Sequence, residues 1–128
     1  MENLRYERTE KSPAIDFNAE TGILSIQGES WMENAIEFFK PLLAWIEEYN
    51  KSPKEITECI IDGNDNGYRF NDASSKCMFD VFRKLENIHG KTSRVIVKWN
   101  CYTETDVYIS EDYQSILKLD FEFIDLEE

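Results

Sequence analysis

Ile56-Thr57-Glu58-Cys59-Ile60-Ile61 is a short, largely apolar run that reads as a buried strand. Beyond it, Cys77, Met78, Val81, Phe82, Leu85 and Ile88 recur at helical spacing, with Gly90 as the expected stop. Val95-Ile96-Val97-Lys98-Trp99 then returns to strand character. A strand, an amphipathic helix and a second strand in this order call for a helix packed on a sheet, which sets the class as α/β.

The same reading extends in both directions. Upstream, Ala14-Ile15-Asp16-Phe17-Asn18 alternates apolar and polar residues, Ala19-Glu20-Thr21-Gly22 supplies turn chemistry, and Ile23-Leu24-Ser25-Ile26 completes a hairpin. Ser30 with Glu33 three residues later has the pattern of a helix start, and Ile36, Phe39, Leu43 and Ile46 carry that helix to about Asn50. Pro41 lies inside it and predicts a kink or a local loosening. Lys51-Ser52-Pro53-Lys54 is a polar connector. Downstream, Glu111 to Leu117 suits a short helix, and Leu119-Asp120-Phe121-Glu122-Phe123 a strand with one face exposed. The sum is a single domain over residues 1–128: a mixed sheet of about five strands with two main amphipathic helices packed on it.

Composition narrows the classes of function. A 41% hydrophobic content with 8 Phe, 6 Tyr and 3 Trp is enough for a core without disulfides or metal. The formal charge of −12 repels nucleic-acid phosphates and anionic lipid headgroups, so neither is an expected partner. Cys59, Cys77 and Cys101 are odd in number and sit among apolar or aromatic residues, as reduced core thiols do. The start, Met1-Glu2-Asn3-Leu4-Arg5-Tyr6, lacks the apolar run of a signal peptide, and no stretch reaches the roughly 18 apolar residues of a membrane span. A cytoplasmic location is expected.

Enzyme signatures are lacking: there is one histidine, no Gly-rich phosphate loop and no Gly-x-Ser-x-Gly elbow. His89 is placed in the last helical turn, facing the helix dipole. Cys77 lies near a helix start but on its apolar face, which favours an inert thiol. Asp62-Gly63-Asn64-Asp65-Asn66-Gly67 matches the first half of a calcium loop, yet its twelfth position is Ala73 rather than a carboxylate. The competing reading is an Asn-Gly turn leading to Tyr68-Arg69-Phe70. Glu104, Asp106, Glu111 and Asp112 are read as solvated acids, and Trp31 as a partner anchor or a staple on the first helix.

The turn Asn71-Asp72-Ala73-Ser74-Ser75-Lys76 is the most informative stretch. A strand delivers the chain to small polar residues that open an amphipathic helix, with hydroxyls and amides expected to point outward. A phosphate there meets free N–H groups and the helix dipole, whereas the plain alternative is N-capping by Asp72 or Ser74.

This strand–turn–helix resembles the switch of STAS domains, the anti-sigma-factor antagonist fold, and the chain as a whole is more similar to the SiaC-type family of regulatory phosphoproteins. The likeness runs through Ser12-Pro13-Ala14-Ile15-Asp16-Phe17, Gly28-Glu29-Ser30-Trp31-Met32-Glu33-Asn34, Phe38-Phe39-Lys40-Pro41 and Trp45. It continues through Phe70 to Lys76, Val97-Lys98-Trp99, Glu111-Asp112-Tyr113 and Phe121-Glu122-Phe123-Ile124. The resemblance implies a non-catalytic bacterial switch without a cofactor. In that family a partner kinase phosphorylates the switch, a phosphatase resets it and a diguanylate cyclase reads it out, in cyclic di-GMP and biofilm signalling. It further implies that the family's phosphoacceptor threonine falls on Asp72 and the next serine on Ala73. Asp72, Ser74 and Ser75 are then the switch positions, and Trp31, Glu33, Asn34, Asn71 and Lys76 the partner-binding ones. Two readings follow: a switch that uses Ser74 or Ser75, or a constitutive binder that Asp72 holds in one state. A calcium-binding domain using Asp62 to Gly67 is the alternative from another class.

Overall fold

The computed structural model describes residues 1–63 and 70–126. Among them are six strands, β1 (Leu4–Tyr6), β2 (Ala14–Asn18), β3 (Ile23–Gln27), β4 (Ile56–Asp62), β5 (Arg94–Cys101) and β6 (Asp120–Asp125). Three helices lie between them: α1 (Ala35–Tyr49), α2 (Asp72–Glu86) and α3 (Glu104–Ile116). The strands lie side by side in chain order; β1, β2 and β3 pair antiparallel, and β3 to β6 pair parallel.

The β2–β3 hairpin forms where the alternation predicted it. Asn18 Oδ1 accepts from the amides of Glu20 and Thr21, at 2.9 and 3.2 Å, and Gly22 takes φ +73°. A Cβ on Gly22 would stand 2.8 Å from the Ile56 carbonyl oxygen, so only glycine lets the turn press against β4.

Each parallel step is bridged by one helix, and right-handed crossovers put all three on the same face of the sheet. The alternating residues Ile15, Phe17, Leu24, Ile26, Cys59, Ile61, Val97 and Trp99 are buried beneath them. Across from these, Phe39, Leu42 and Ile46 of α1 and Met78, Val81, Phe82 and Leu85 of α2 close the core. Phe82 also sits at the centre of an aromatic cluster with Trp99, Tyr113 and Phe121, which seats α3 and β6. The other face of the sheet is largely polar, with Lys98 and Glu58 ion-paired across neighbouring strands at 3.1 Å.

Several expectations need correction. A sixth strand, β1, pairs antiparallel with β2. The first helix begins at Ala35, with Asn34 at the N-cap position but making no side-chain cap bond, because the Ser30 hydroxyl is engaged elsewhere and Ser30 itself is bridged to Phe70. α1 runs through Pro41 as one uninterrupted element: Pro41 is exposed, and the apolar face from Ala35 to Tyr49 holds both halves on the sheet. α2 begins at Asp72 and ends at Glu86, so Ile88 and His89 lie beyond it and Gly90 closes the following turn at φ +76°. His89 is therefore not in the last helical turn. Its Nδ1 accepts from the Val95 amide at 2.9 Å, which leaves the ring proton on Nε2, 4.0 Å from an Asp120 oxygen. α3 starts seven residues before the expected Glu111, at Glu104, because Thr103 and Asp106 form a reciprocal capping box.

Candidate functional site

Phe70 and Ser30 form a parallel bridge beyond the ends of β4 and β3, bringing two distant polar stretches together. Asn71 joins them. Its amide donates to the Ser30 carbonyl at 3.0 Å, its Nδ2 donates to the Met32 carbonyl at 3.0 Å, and its Oδ1 accepts from the Ser74 amide at 3.0 Å. The third bond makes Asn71 the N-cap of α2, in place of the Asp72 or Ser74 expected. Beneath it, the buried Ser30 hydroxyl donates to the Ser74 hydroxyl at 2.6 Å.

This clasp determines where each predicted residue points. Asp72, the first residue of α2, is exposed, at the end where the helix dipole favours negative charge. Ala73 beside it is also exposed. Ser74 is fully buried, so the expectation of outward hydroxyls fails at this position. Ser75 is half-buried, and its carbonyl accepts from the Tyr113 hydroxyl at 3.0 Å, which ties the first turn of α2 to α3. Lys76 is exposed on the side of α2 that faces α1.

Across the clasp, Trp31 is 53% exposed, while its amide donates to the Lys11 carbonyl at 2.9 Å. A tryptophan held by its backbone with its ring in solvent suits a partner anchor. Glu33 and Asn34 are exposed next to it, and the Asn34 carbonyl accepts from the amides of Glu37 and Phe38. The structure thus gathers Trp31, Glu33, Asn34, Asn71 and Asp72 at one end of the helical layer, with Lys76 a turn further along α2.

Sequence reasoning missed Ser30 and Tyr113 as supports of this site. Ser30 has a local pattern that reads as a helix cap, and only the tertiary bridge to Phe70 reassigns it. Tyr113 carries no local signal for its bond to Ser75, which lies 38 residues away.

The other candidates are accounted for differently. Burial raises the Cys77 thiol, with the Asp80 charge adding to the effect, and the Cys59 thiol is pushed up to about 12 by burial alone. All three cysteines are free and buried. Of the Asp62 to Gly67 loop, residues 64–67 lie outside the described residues. Asp62 Oδ2 accepts from Asn100 Nδ2 at 2.9 Å and from the Tyr102 hydroxyl at 3.1 Å. Among the described residues no group of three or more His, Cys, Asp or Glu side chains is placed to hold a metal. Asp106, read as a solvated acid, is buried as the capping-box partner of Thr103. No helix among the described residues is long and apolar enough to cross a membrane.

The chain is thus a two-layer α/β domain with a clasped, solvent-facing helix start. The family model described as SiaC family regulatory phosphoprotein matches residues 6–126, and the chain belongs to that family. It is 29% identical, over 78% of its length, to an uncharacterized protein of Pseudomonas aeruginosa (strain UCBPP-PA14), covering 76% of that protein. Among solved structures it is similar to apo-SiaC from Pseudomonas aeruginosa, at 28% identity and a TM-score of 0.84, covering 97% of this chain and 99% of that one. It is also similar, at 26% identity and a TM-score of 0.85, to a chain of the complex between the diguanylate cyclase SiaD and its activator SiaC from the same organism. That match covers 95% of this chain and 98% of the other.

Proposed function

We propose that this chain is a non-catalytic regulator that binds a signalling partner of the diguanylate cyclase class through the surface formed by Asn71–Lys76 and Trp31–Asn34. The observation that carries this reading is the Asn71 clasp, which ties the segment bearing the exposed Trp31 to the helix start bearing the exposed Asp72. Family membership and the SiaD–SiaC complex support the choice of partner.

Asp72 stands where the family resemblance puts the phosphoacceptor. It brings one negative charge where a phosphate brings about 1.5 to 2, so it sets a permanent, partial version of the modified state. Ser75 is half-buried, whereas Ser74 is fully buried and its modification requires its bond to Ser30 to open, so Ser75 is the better placed of the two for a kinase and a phosphatase. A Ser75 switch is the second reading, favoured by that difference in burial.

The test is calorimetric titration of the full chain with the diguanylate cyclase of the same organism, alongside cyclic di-GMP production. The wild-type chain is expected to bind and to change cyclase output. Asp72→Thr should shift affinity about tenfold, equivalent to about 1.4 kcal/mol, and become a substrate for the cognate kinase. Absence of binding, or identical behaviour of wild type and Asp72→Thr in both assays, overturns the reading. Mass spectrometry of the kinase-treated wild type decides the second reading by the presence or absence of phosphate on Ser75.

A further inference from the structure

The right-handed crossovers leave α1 and α2 running side by side in the same direction, and between them lies an open groove of about 530 Å³. Its lining pairs the two helices turn by turn, from Ile36 and Ala73 at the Asp72 end to Glu47 and Lys84 at the other. From Ile36 to Glu47 the groove follows about three turns of α1, or ~16 Å. Phe39, Leu43 and Cys77 form an apolar floor, and the small side chains of Ala44 and Ala73 keep it open. Ile36 is 71% exposed on its edge, an apolar side chain that contributes little to the core of this chain.

The charge on the rim differs from that of the rest of the molecule. Glu47 pairs with Lys84 across the far end and closes it. Lys40 and Lys76 flank the near end. Three lysines and two acids, Glu47 and Asp80, line the groove of a chain whose overall charge is −12. A second copy of this chain would bring the same negative excess and be repelled.

We infer that the α1–α2 groove is a docking site for an amphipathic helix of a partner protein, with apolar residues at i, i+4 and i+7 and acidic residues on its flank. The length fits about three helical turns, the floor takes the apolar stripe, and Lys40 and Lys76 meet the acids. The groove starts beside Asp72, so this docking mode rests on the reading of the chain as a partner-binding regulator and adds the chemistry of what is bound.

The experiment uses the full, isotope-labelled chain and an end-capped helical peptide of about four turns, with leucines at i, i+4 and i+7 and glutamates on the flanks. A control peptide carries lysines in place of the glutamates. Expected are amide shifts confined to residues 36–47 and 73–84, affinity for the acidic peptide about tenfold tighter at low salt, and narrowing of that preference at high salt. Ile36→Glu and Lys40→Glu, both at exposed positions, should each weaken acidic-peptide binding by about tenfold or more while keeping the wild-type Tm. Absence of shifts, shifts on the polar sheet face, or equal affinity for both peptides overturns the inference. The cyclase titration separates the two readings: if Asp72→Ala loses the cyclase and Ile36→Glu keeps it, the groove is excluded and the clasp surface stands.

Discussion

The two ends of α2 differ in what their polar groups do. At the C-terminal end every notable group serves the fold. Asn50 Nδ2 donates to the Lys84 carbonyl at 2.9 Å, Glu86 accepts from the Lys118 amide and pairs with Arg83, and His89 takes the Val95 amide. At the N-terminal end Asn71 and Ser74 do the structural work beneath the surface, while Asp72 and Ala73 face solvent on top of it. The difference teaches that a helix start can be rigid and still leave its outward residues uncommitted to the fold, which is what a recognition surface requires.

The largest effect on this contrast should come from Asn71→Ala. It removes the N-cap bond and the bond to the Met32 carbonyl together, with an expected loss of about 2–3 kcal/mol in chemical denaturation. Asn71→Asp keeps the cap and lacks the Nδ2 donor, so it should lose about 1 kcal/mol and loosen the Trp31 segment in hydrogen exchange. An unchanged midpoint for Asn71→Ala would show that the two segments hold together without the clasp.

Glu86→Gln probes the other end and should cost about 1 kcal/mol at neutral pH. The Lys118 amide, and after it Arg83, holds the Glu86 carboxyl below its usual range. A depressed folded-state pKa gives stability that is present above the unfolded value and disappears as the pH falls through the folded one. The gap between wild type and Glu86→Gln should therefore be full at neutral pH and close in acid; a gap that persists in acid contradicts this assignment.

The smallest stability effect belongs to Asp72→Ala. Removing an exposed first-turn acid should cost about 0.5 kcal/mol through the helix dipole. Its effect on cyclase binding should be far larger than its effect on the denaturation midpoint. A large loss of stability with unaltered binding would reverse the comparison between the two ends.

Much of the fold was legible because its long elements carry clear periods: the β2–β3 hairpin, the apolar faces of α1 and α2, and the buried runs of β4 and β5. Strand β1 escaped because it has three residues at a sheet edge and only Leu4 is even half-buried, so it leaves no alternation to read. The start of α1 was misplaced because Ser30 and Glu33 match a local capping pattern that a long-range hydroxyl bond overrides. The opposite holds at α3, where Thr103 and Asp106 carry the signal in the sequence, with aspartate in a place more often held by glutamate or glutamine. The turn from Asn71 to Lys76 was located by its small polar residues. Which of them point outward depends on Ser30, 44 residues from Ser74, and no local pattern contains that information.

The position of Asp72 outside the clasp also has an evolutionary consequence. Because Asn71, Ser30 and Ser74 carry the local hydrogen bonds, residue 72 can change between hydroxyl and carboxylate with little effect on folding. On the proposed reading of residue 72 as the phosphoacceptor position, a lineage can exchange a reversible setting for a fixed one in a single substitution, and reverse that exchange later, while the scaffold that presents the residue stays the same.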